Sequence, residues 1–133
     1  MHAKLAVVSG LAAVLAAGTL IAAPPASASP SGCPLGLQCL YEYGFFSSTY
    51  LFLTSDPNFS DNTYGDGNSV NNNSWAAANS STGGYESHYY DGYYYSGFLF
   101  CISPGGAAYL PPSLQDRASS MRLRLTTGIL CLA

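Results

Sequence analysis

The stretch Tyr90-Asp91-Gly92-Tyr93-Tyr94-Tyr95-Ser96-Gly97 contains an aromatic pattern that occurs twice in this chain. In this copy Tyr90 is followed by Tyr95, then by Gly97, and much later by Ser120. A repeat made of short strand-like runs indicates one supersecondary unit that is used twice around a single core. The earlier copy consists of Tyr41, Phe46, Ser48 and Ser69.

The spacing of the second copy predicts a hairpin that folds back over its own sheet. Its two aromatic rings are expected to pack together as a corner. Gly97 provides a backbone angle with positive φ, which other residues adopt at a cost of about 1 kcal/mol. The distant serine can cap the hairpin by bonding its exposed backbone groups. The first copy has Ser48 where glycine is expected, so we expect its hairpin to have a different shape.

Apolar and aromatic runs are short and are separated by glycine, proline and asparagine, which predicts strands. The run 120–125 alternates most clearly, because Met121, Leu123 and Leu125 share one face. No stretch after the N-terminal segment shows a helical period, so the predicted fold class is all-β. The other predicted strands are 40–43, 49–53, 97–102 and 129–132, and 67–84 is predicted to connect the two halves.

The tyrosine-rich segment 85–95 allows two interpretations. Asp91-Gly92 is a common hairpin-turn dipeptide, so strands could flank it directly. Alternatively, Tyr89 and Tyr90 end a strand, and the chain from Asp91 onward forms a folded-over loop. Trp75, the single tryptophan, is expected in the core.

The N-terminal residues 1–28 have the features of a secretory signal. A weakly basic start with Lys4 is followed by a long apolar run, and Ala26-Ser27-Ala28 offers the small side chains that signal peptidases accept. A retained membrane anchor is the alternative, and Pro24 and Pro25 argue against it. We therefore expect a secreted, extracellular protein with one domain at 29–133 and no membrane association after signal removal.

All four cysteines lie in the predicted mature domain, which favours two disulfides in an exported protein. Sequence alone allows three pairings. We favour Cys33–Cys39, a small loop turned by Pro34 and Gly36, and Cys101–Cys131, which joins two predicted strands. The longer bridge would contribute about 3 kcal/mol in the chain-entropy treatment.

Charge is scarce and acidic, with four lysines and arginines against seven aspartates and glutamates, and a net charge of −3. Such a surface repels phosphate backbones, so nucleic acid is not expected as a partner. Tyrosine, serine, asparagine and glycine form contact surfaces at low entropic cost. The composition therefore suits recognition, although it is equally consistent with a highly soluble extracellular domain.

The stretch 33–42, Cys-Pro-Leu-Gly-Leu-Gln-Cys-Leu-Tyr-Glu, resembles the opening of the secreted actinobacterial proteins of peptidase inhibitor family I36. The stretches 69–72 and 116–122 resemble the ends of its two Greek keys. The resemblance implies a βγ-crystallin-like sandwich of two Greek keys, at about 38–75 and 85–133. It also implies an inhibitor of an extracellular protease, of the thermolysin-like metalloprotease class. Separately, we expect the protein to be a monomer.

A calcium site is suggested by the tract Gln115-Asp116-Arg117-Ala118-Ser119-Ser120, which differs by one residue from the calcium-binding βγ-crystallin signature. The candidate ligands are Gln115, Asp116 and Ser119. The first-half counterpart is expected at 64–69. Calcium prefers six to eight oxygen ligands and these tracts offer few carboxylates, so the alternative is that they close a turn and no cofactor is bound.

Two functions remain to be distinguished, besides a third hypothesis of a calcium-tuned structural domain that Gly65 and Gln115 do not favour. Phe100, Cys101 and Ile102 form a candidate inhibitory segment tied by a disulfide, with an ordinary core strand as the alternative. Non-catalytic binding to cell walls or carbohydrate, as in killer-toxin-like members of the fold, would use the tyrosines of 85–95. Catalysis is not expected, because His88 is expected in a solvated loop and no nucleophile motif accompanies it.

Overall fold

The computed structural model describes residues 31–133, so the predicted signal segment 1–28 lies outside the described residues. This part of the chain is built from strands and two single turns of 3-10 helix, at Phe59–Asp61 and Tyr93–Tyr95. No helix in 31–133 is long and apolar enough to cross a membrane. The strands are β1 Gln38–Tyr41, β2 Thr49–Phe52, β3 Ala76–Asn79, β4 Tyr85–Tyr90, β5 Phe98–Ile102, β6 Ala107–Tyr109 and β7 Ser120–Leu125.

The strands form two antiparallel sheets, in the orders β2-β1-β3-β6 and β5-β4-β7. Strand β6 comes from the second half of the chain but pairs with β3 of the first half. Conversely, Asp56 of the first half pairs with Met121 of β7, through N–H to O bonds of 2.8 and 2.9 Å. Each half therefore lends a segment to the sheet of the other half, and the all-β prediction is confirmed.

The main core lies between the two sheets. Successive side chains of a strand point to opposite faces, so every second residue of a strand faces this core. In β1, Leu40 points into this core, whereas Cys39 and Tyr41 point to the outer face of their sheet. Tyr89 and Phe100 stack in the core, with ring centroids 4.7 Å apart. The buried members of this core are Leu40, Phe52, Phe59, Tyr64, Val70, Ala77, Tyr89, Phe100, Ile102, Leu110, Ala118 and Met121.

A terminal segment crosses the outer face of each sheet and is attached to it by a disulfide. The two bridges are Cys33–Cys39 and Cys101–Cys131, as predicted. In the N-terminal segment, the hydroxyl of Tyr41 donates to the carbonyl of Ser31 at 3.0 Å. At the C-terminus, the backbone N–H of Leu132 donates to the carbonyl of Cys101 at 2.9 Å.

Two predicted assignments differ from the structure. The stretch 67–84 is not simply a connection, because its alanines form β3 between β1 and β6. Alanine has low strand propensity, so these small residues give no strand signal, yet they fit where β3 is buried on both faces. The segment 129–132 is not a strand, since it makes only isolated backbone bonds to β5.

Candidate functional site

The second hairpin folds over its sheet as the repeat suggests. The rings of Tyr90 and Tyr95 meet edge to face with centroids 5.8 Å apart. The backbone N–H of Asp91 donates to the carbonyl of Gly97 at 2.8 Å, and Gly97 has φ of 73°. The hydroxyl of Ser120 donates to the Gly92 carbonyl at 2.7 Å and accepts from the Tyr95 N–H at 3.1 Å. Of the two interpretations, the folded-over loop is therefore the correct one.

The first hairpin has the same backbone closure but a different aromatic corner. The Glu42 N–H donates to the Ser48 carbonyl at 3.0 Å, as Asp91 does to Gly97. The ring that packs against Tyr41 is that of Phe45, with ring centroids 5.2 Å apart. Phe46 does not form this contact and is 81% exposed. The predicted Phe46 corner is therefore wrong, because the preceding residue, Phe45, provides the ring that packs against Tyr41.

The closing serine of the first half is also different from the prediction. The hydroxyl of Ser47, inside the loop, accepts from the Tyr43 N–H at 3.1 Å and donates to the Gly44 carbonyl at 2.6 Å. The hydroxyl of Ser69 instead accepts from the Asn71 N–H at 3.2 Å. The first hairpin is thus held by Ser47 from its own loop, whereas the second hairpin is held by Ser120, which is distant in sequence.

The counterpart of the tract 115–120 is 71–76, and not 64–69 as predicted. The Asn72 N–H donates to the Ala118 carbonyl, and the Asp116 N–H donates to the Ser74 carbonyl, both at 3.0 Å. These two reciprocal hydrogen bonds relate the two halves by an approximate two-fold axis. Trp75 takes the place of Ser119, since their N–H groups bond the equivalent carbonyls of Tyr41 and Tyr90.

The three predicted calcium ligands face different partners. The Gln115 amide donates to the Leu110 carbonyl at 2.9 Å, and the Ser119 hydroxyl donates to the Asn72 side chain at 2.9 Å. The Asp116 carboxylate accepts from the indole N–H of Trp75 at 3.2 Å. The three side chains include one carboxylate, whereas calcium prefers six to eight oxygen ligands, so the calcium site stays a prediction. Trp75 is 40% exposed, so its predicted core position is wrong.

A buried carboxylate joins the first hairpin to the loop before β3. Glu42 is fully buried and accepts from the side-chain amides of Asn68 at 2.7 Å and Asn73 at 3.2 Å. Hydrogen bonds with the Glu42 carboxyl and the Asn68 backbone hold the pKa of Asp66 below its ordinary value. The motif pattern gave no signal for this contact, because it depends on loop residues distant in sequence.

Exposed aromatic rings gather where β1 ends and β3 begins. Tyr43 and Trp75 meet edge to face at 5.9 Å. The Asn71 amide, near Trp75 in sequence, donates to the hydroxyl of Tyr93 at 3.3 Å. We call Tyr43, Trp75 and Tyr93 the aromatic end, and they are 58, 40 and 41% exposed.

The predicted tyrosine contact surface is therefore only partly accessible. Tyr89 and Tyr90 of the segment 85–95 are buried in β4, and Tyr85, Tyr93 and Tyr94 remain exposed. The sequence missed the contribution of Tyr43 and Trp75, since only the antiparallel pairing of β1 with β3 brings them together.

The outer face of β4 carries a buried acid–base pair. His88 is fully buried in this strand, so its predicted place in a solvated loop is wrong. Its Nε2 lies 2.6 Å from the Glu86 carboxylate. The same carboxylate accepts from the Thr127 backbone N–H at 3.1 Å and the Thr127 hydroxyl at 2.8 Å. Burial opposes the charged form of Glu86, yet the bonds from His88 and Thr127 hold its pKa below the ordinary value.

The chain between Thr127 and Cys131 is exposed and has an anchor at each end. Thr127 is held by Glu86, and Cys131 is held by its disulfide to Cys101. Between them, Ile129 is 42% exposed and Leu130 is 96% exposed. We call residues 128–130 the tethered segment.

The predicted inhibitory segment lies on the other side of the same disulfide and is buried. Phe100, Cys101 and Ile102 are 3, 0 and 0% exposed in β5. Phe100 and Ile102 pack into the main core, so neither side chain can enter a protease cleft in the folded protein. The alternative of a core strand is the correct one, because the alternation of β5 buries these residues on both of its faces.

The overall arrangement is similar to a solved structure described as "Evolution of the eye lens beta-gamma-crystallin domain fold". The TM-score is 0.58, with 16% sequence identity over 72% of this chain and 93% of that chain. The protein therefore has the βγ-crystallin domain fold. No protein-family profile matches the sequence, and no curated protein matches it.

Replacing Ser120 by alanine is expected to lower the free energy of unfolding by about 1–3 kcal/mol, because two backbone groups of the hairpin lose their partner. Ser69→Ala is the matched control and should cost much less, since Ser69 bonds only one exposed N–H. Both are measured by urea unfolding. Equal losses in the two variants would contradict the assignment of Ser120 as the closing serine.

Acidification is expected to destabilise the fold through Glu86. The pKa of this carboxyl is lowered on folding from an ordinary value of 4.5, so its contribution is present above that pH. It is lost as the pH falls through the lower pKa of the folded state. Urea unfolding between pH 7 and about pH 3 should show this loss, and Glu86→Gln should flatten the curve. Superimposable pH profiles of the two proteins would refute the role of Glu86.

Proposed function

We propose that this protein is an exported, non-catalytic inhibitor of an extracellular metallopeptidase of the thermolysin-like class, acting through the tethered segment. The observation that carries the proposal is the exposure of Ile129 and Leu130 between two fixed anchors. The family resemblance of the sequence points to the same class of target. Two disulfides suit an oxidising extracellular compartment.

The tethered segment has the properties of a slowly cleaved substrate. Thermolysin-like enzymes cleave before large apolar side chains, and Ile129 and Leu130 offer two of these in succession. A segment already fixed at both ends loses little conformational entropy on binding. If the bond before Leu130 is cut, Thr127 still holds one product end and the disulfide of Cys131 holds the other. The products therefore stay in place, which slows release and favours resynthesis of the bond.

Catalysis by the protein itself has little chemical support. His88 is the only histidine in 31–133, and it is buried against Glu86. A general base must reach a substrate proton, which this position does not allow. The proposal involves no cofactor, and calcium binding at Gln115, Asp116 and Ser119 stays a separate prediction. We propose that the protein acts as a monomer.

Carbohydrate or cell-wall binding is the second candidate, and the aromatic end favours it. The exposed ring of Trp75 bonds the carboxylate of Asp116, and the exposed Tyr93 bonds the amide of Asn71. Aromatic faces stack on the apolar faces of sugars, while amides and carboxylates bond the hydroxyls. This surface is separate in sequence from the tethered segment, so the two functions can be tested independently.

The purified, oxidised protein is expected to inhibit a thermolysin-like metallopeptidase. Leu130→Asp should weaken inhibition at least about tenfold, because a charge replaces the apolar side chain that the cleft binds. Leu53→Asp, at a position directly after β2 that is 77% exposed, is the matched control and should leave inhibition unchanged. No inhibition by the unmodified protein, or equal loss in both variants, would overturn the proposal.

Pull-down on insoluble peptidoglycan, chitin and glucan distinguishes the second candidate. If the aromatic end binds sugars, the protein is retained, and Trp75→Ala reduces retention whereas Leu53→Ala does not. Trp75 stacking is expected to contribute about 1 kcal/mol. Absence of retention on all three polymers would remove this candidate.

A further inference from the structure

Four ligand-type side chains meet under the C-terminal segment. One ligand atom from each of Glu86, His88, Cys101 and Cys131 lies within 4.8 Å of every other. Glu86 and His88 are two residues apart on β4 and share its outer face. Cys101 is the partner of His88 in the pairing of β4 with β5, and Cys131 is brought in by the chain end. Within 31–133 this is the one such cluster.

The chemistry of the set is that of zinc. Zinc binds thiolate, imidazole and carboxylate in a tetrahedron, with bonds of about 2.0–2.3 Å that place ligands about 3.3–3.8 Å apart. The longest distances between ligand atoms must therefore close by about 1.0–1.5 Å, and the two sulfurs must separate once the disulfide is opened. Glu86, His88 and Cys101 are buried, and Nδ1 of His88 has no hydrogen-bond partner in the described residues. A buried imidazole nitrogen without a partner is costly unless a ligand uses it or reorients the ring.

We propose that reduction of the Cys101–Cys131 disulfide converts this cluster into a zinc site. A phosphine breaks the S–S bond and takes an oxygen atom from water, so the products are the phosphine oxide and two thiols. Zn²⁺ then binds both sulfurs, and the two thiol protons pass to solvent. The imidazole of His88 and the carboxylate of Glu86 complete the tetrahedron.

The site would keep the C-terminal segment attached in either redox state. In the oxidised protein the segment is held by the disulfide, and in the reduced protein it is held by two metal–sulfur bonds. Cys33 and Cys39 provide an internal comparison. Their sulfurs lie near no such combination of imidazole and carboxylate in the described residues, so their reduction creates two thiols without further ligands.

Co²⁺ is the spectroscopic probe for this site, because tetrahedral thiolate coordination gives visible bands and a near-ultraviolet charge-transfer band. The phosphine-reduced protein, kept free of oxygen, should bind one equivalent of Co²⁺, and Zn²⁺ should bleach the spectrum. The oxidised protein should show neither band. Cys33→Ser/Cys39→Ser should retain the spectrum, and Cys101→Ser/Cys131→Ser should lose it. His88→Gln should weaken binding at least about tenfold.

Folding is followed in the same samples by near-ultraviolet circular dichroism and thermal unfolding. Zn²⁺ should raise the melting temperature of the reduced protein and leave that of Cys101→Ser/Cys131→Ser unchanged. Featureless spectra in the reduced protein, or a spectrum that survives loss of Cys101 and Cys131, would overturn the proposal. Inhibition is assayed on the oxidised protein, so failure of the zinc site and failure of the proposed function give different results.

Discussion

The reciprocal bonding between the tracts 71–76 and 115–120 is the constraint on which the fold depends. Asn72 bonds Ala118, and Asp116 bonds Ser74, across the approximate two-fold axis. This contact fixes the start of β3 and the start of β7 relative to each other. With these starts fixed, β6 of the second half pairs with β3, and Asp56 of the first half pairs with Met121 of β7. Each sheet is therefore completed by a segment of the other half. The main core is built from side chains of both halves, so we expect it to form only when both are present.

The outer faces of the two sheets explain where contact surfaces can form. In a two-layer sandwich, the outer face of each sheet must be polar or be covered by another part of the chain. Here the chain termini cover these faces, and a disulfide attaches each terminus at a cysteine on a strand, Cys39 or Cys101. In the C-terminal segment, residues 128–130 remain exposed between their two anchors. Residues 100–102 of the strand β5 beneath this segment are buried.

The second half could be predicted from sequence because its contacts follow the repeat closely. Tyr90, Tyr95, Gly97 and Ser120 all act through bonds or rings that their spacing implies. The first half departs from the repeat. Trp75 and Ala76 stand where the second half has Ser119 and Ser120, and Ser47 inside the loop caps the first hairpin. Both disulfides were predicted correctly. The burial of Phe100–Ile102 agrees with the alternative of a core strand. The burial of His88 was missed, because strand-like composition does not show which face of a sheet a terminal segment will cover.

The claim that neither half folds alone can be tested by amide NMR of the two fragments, 31–84 and 85–133. Each fragment keeps its own disulfide, so loss of structure cannot be attributed to a missing bridge. The separate fragments are expected to give poorly dispersed spectra, and mixing them should restore dispersed, exchange-protected amides. A well-dispersed, protected spectrum from either fragment alone would contradict the shared core.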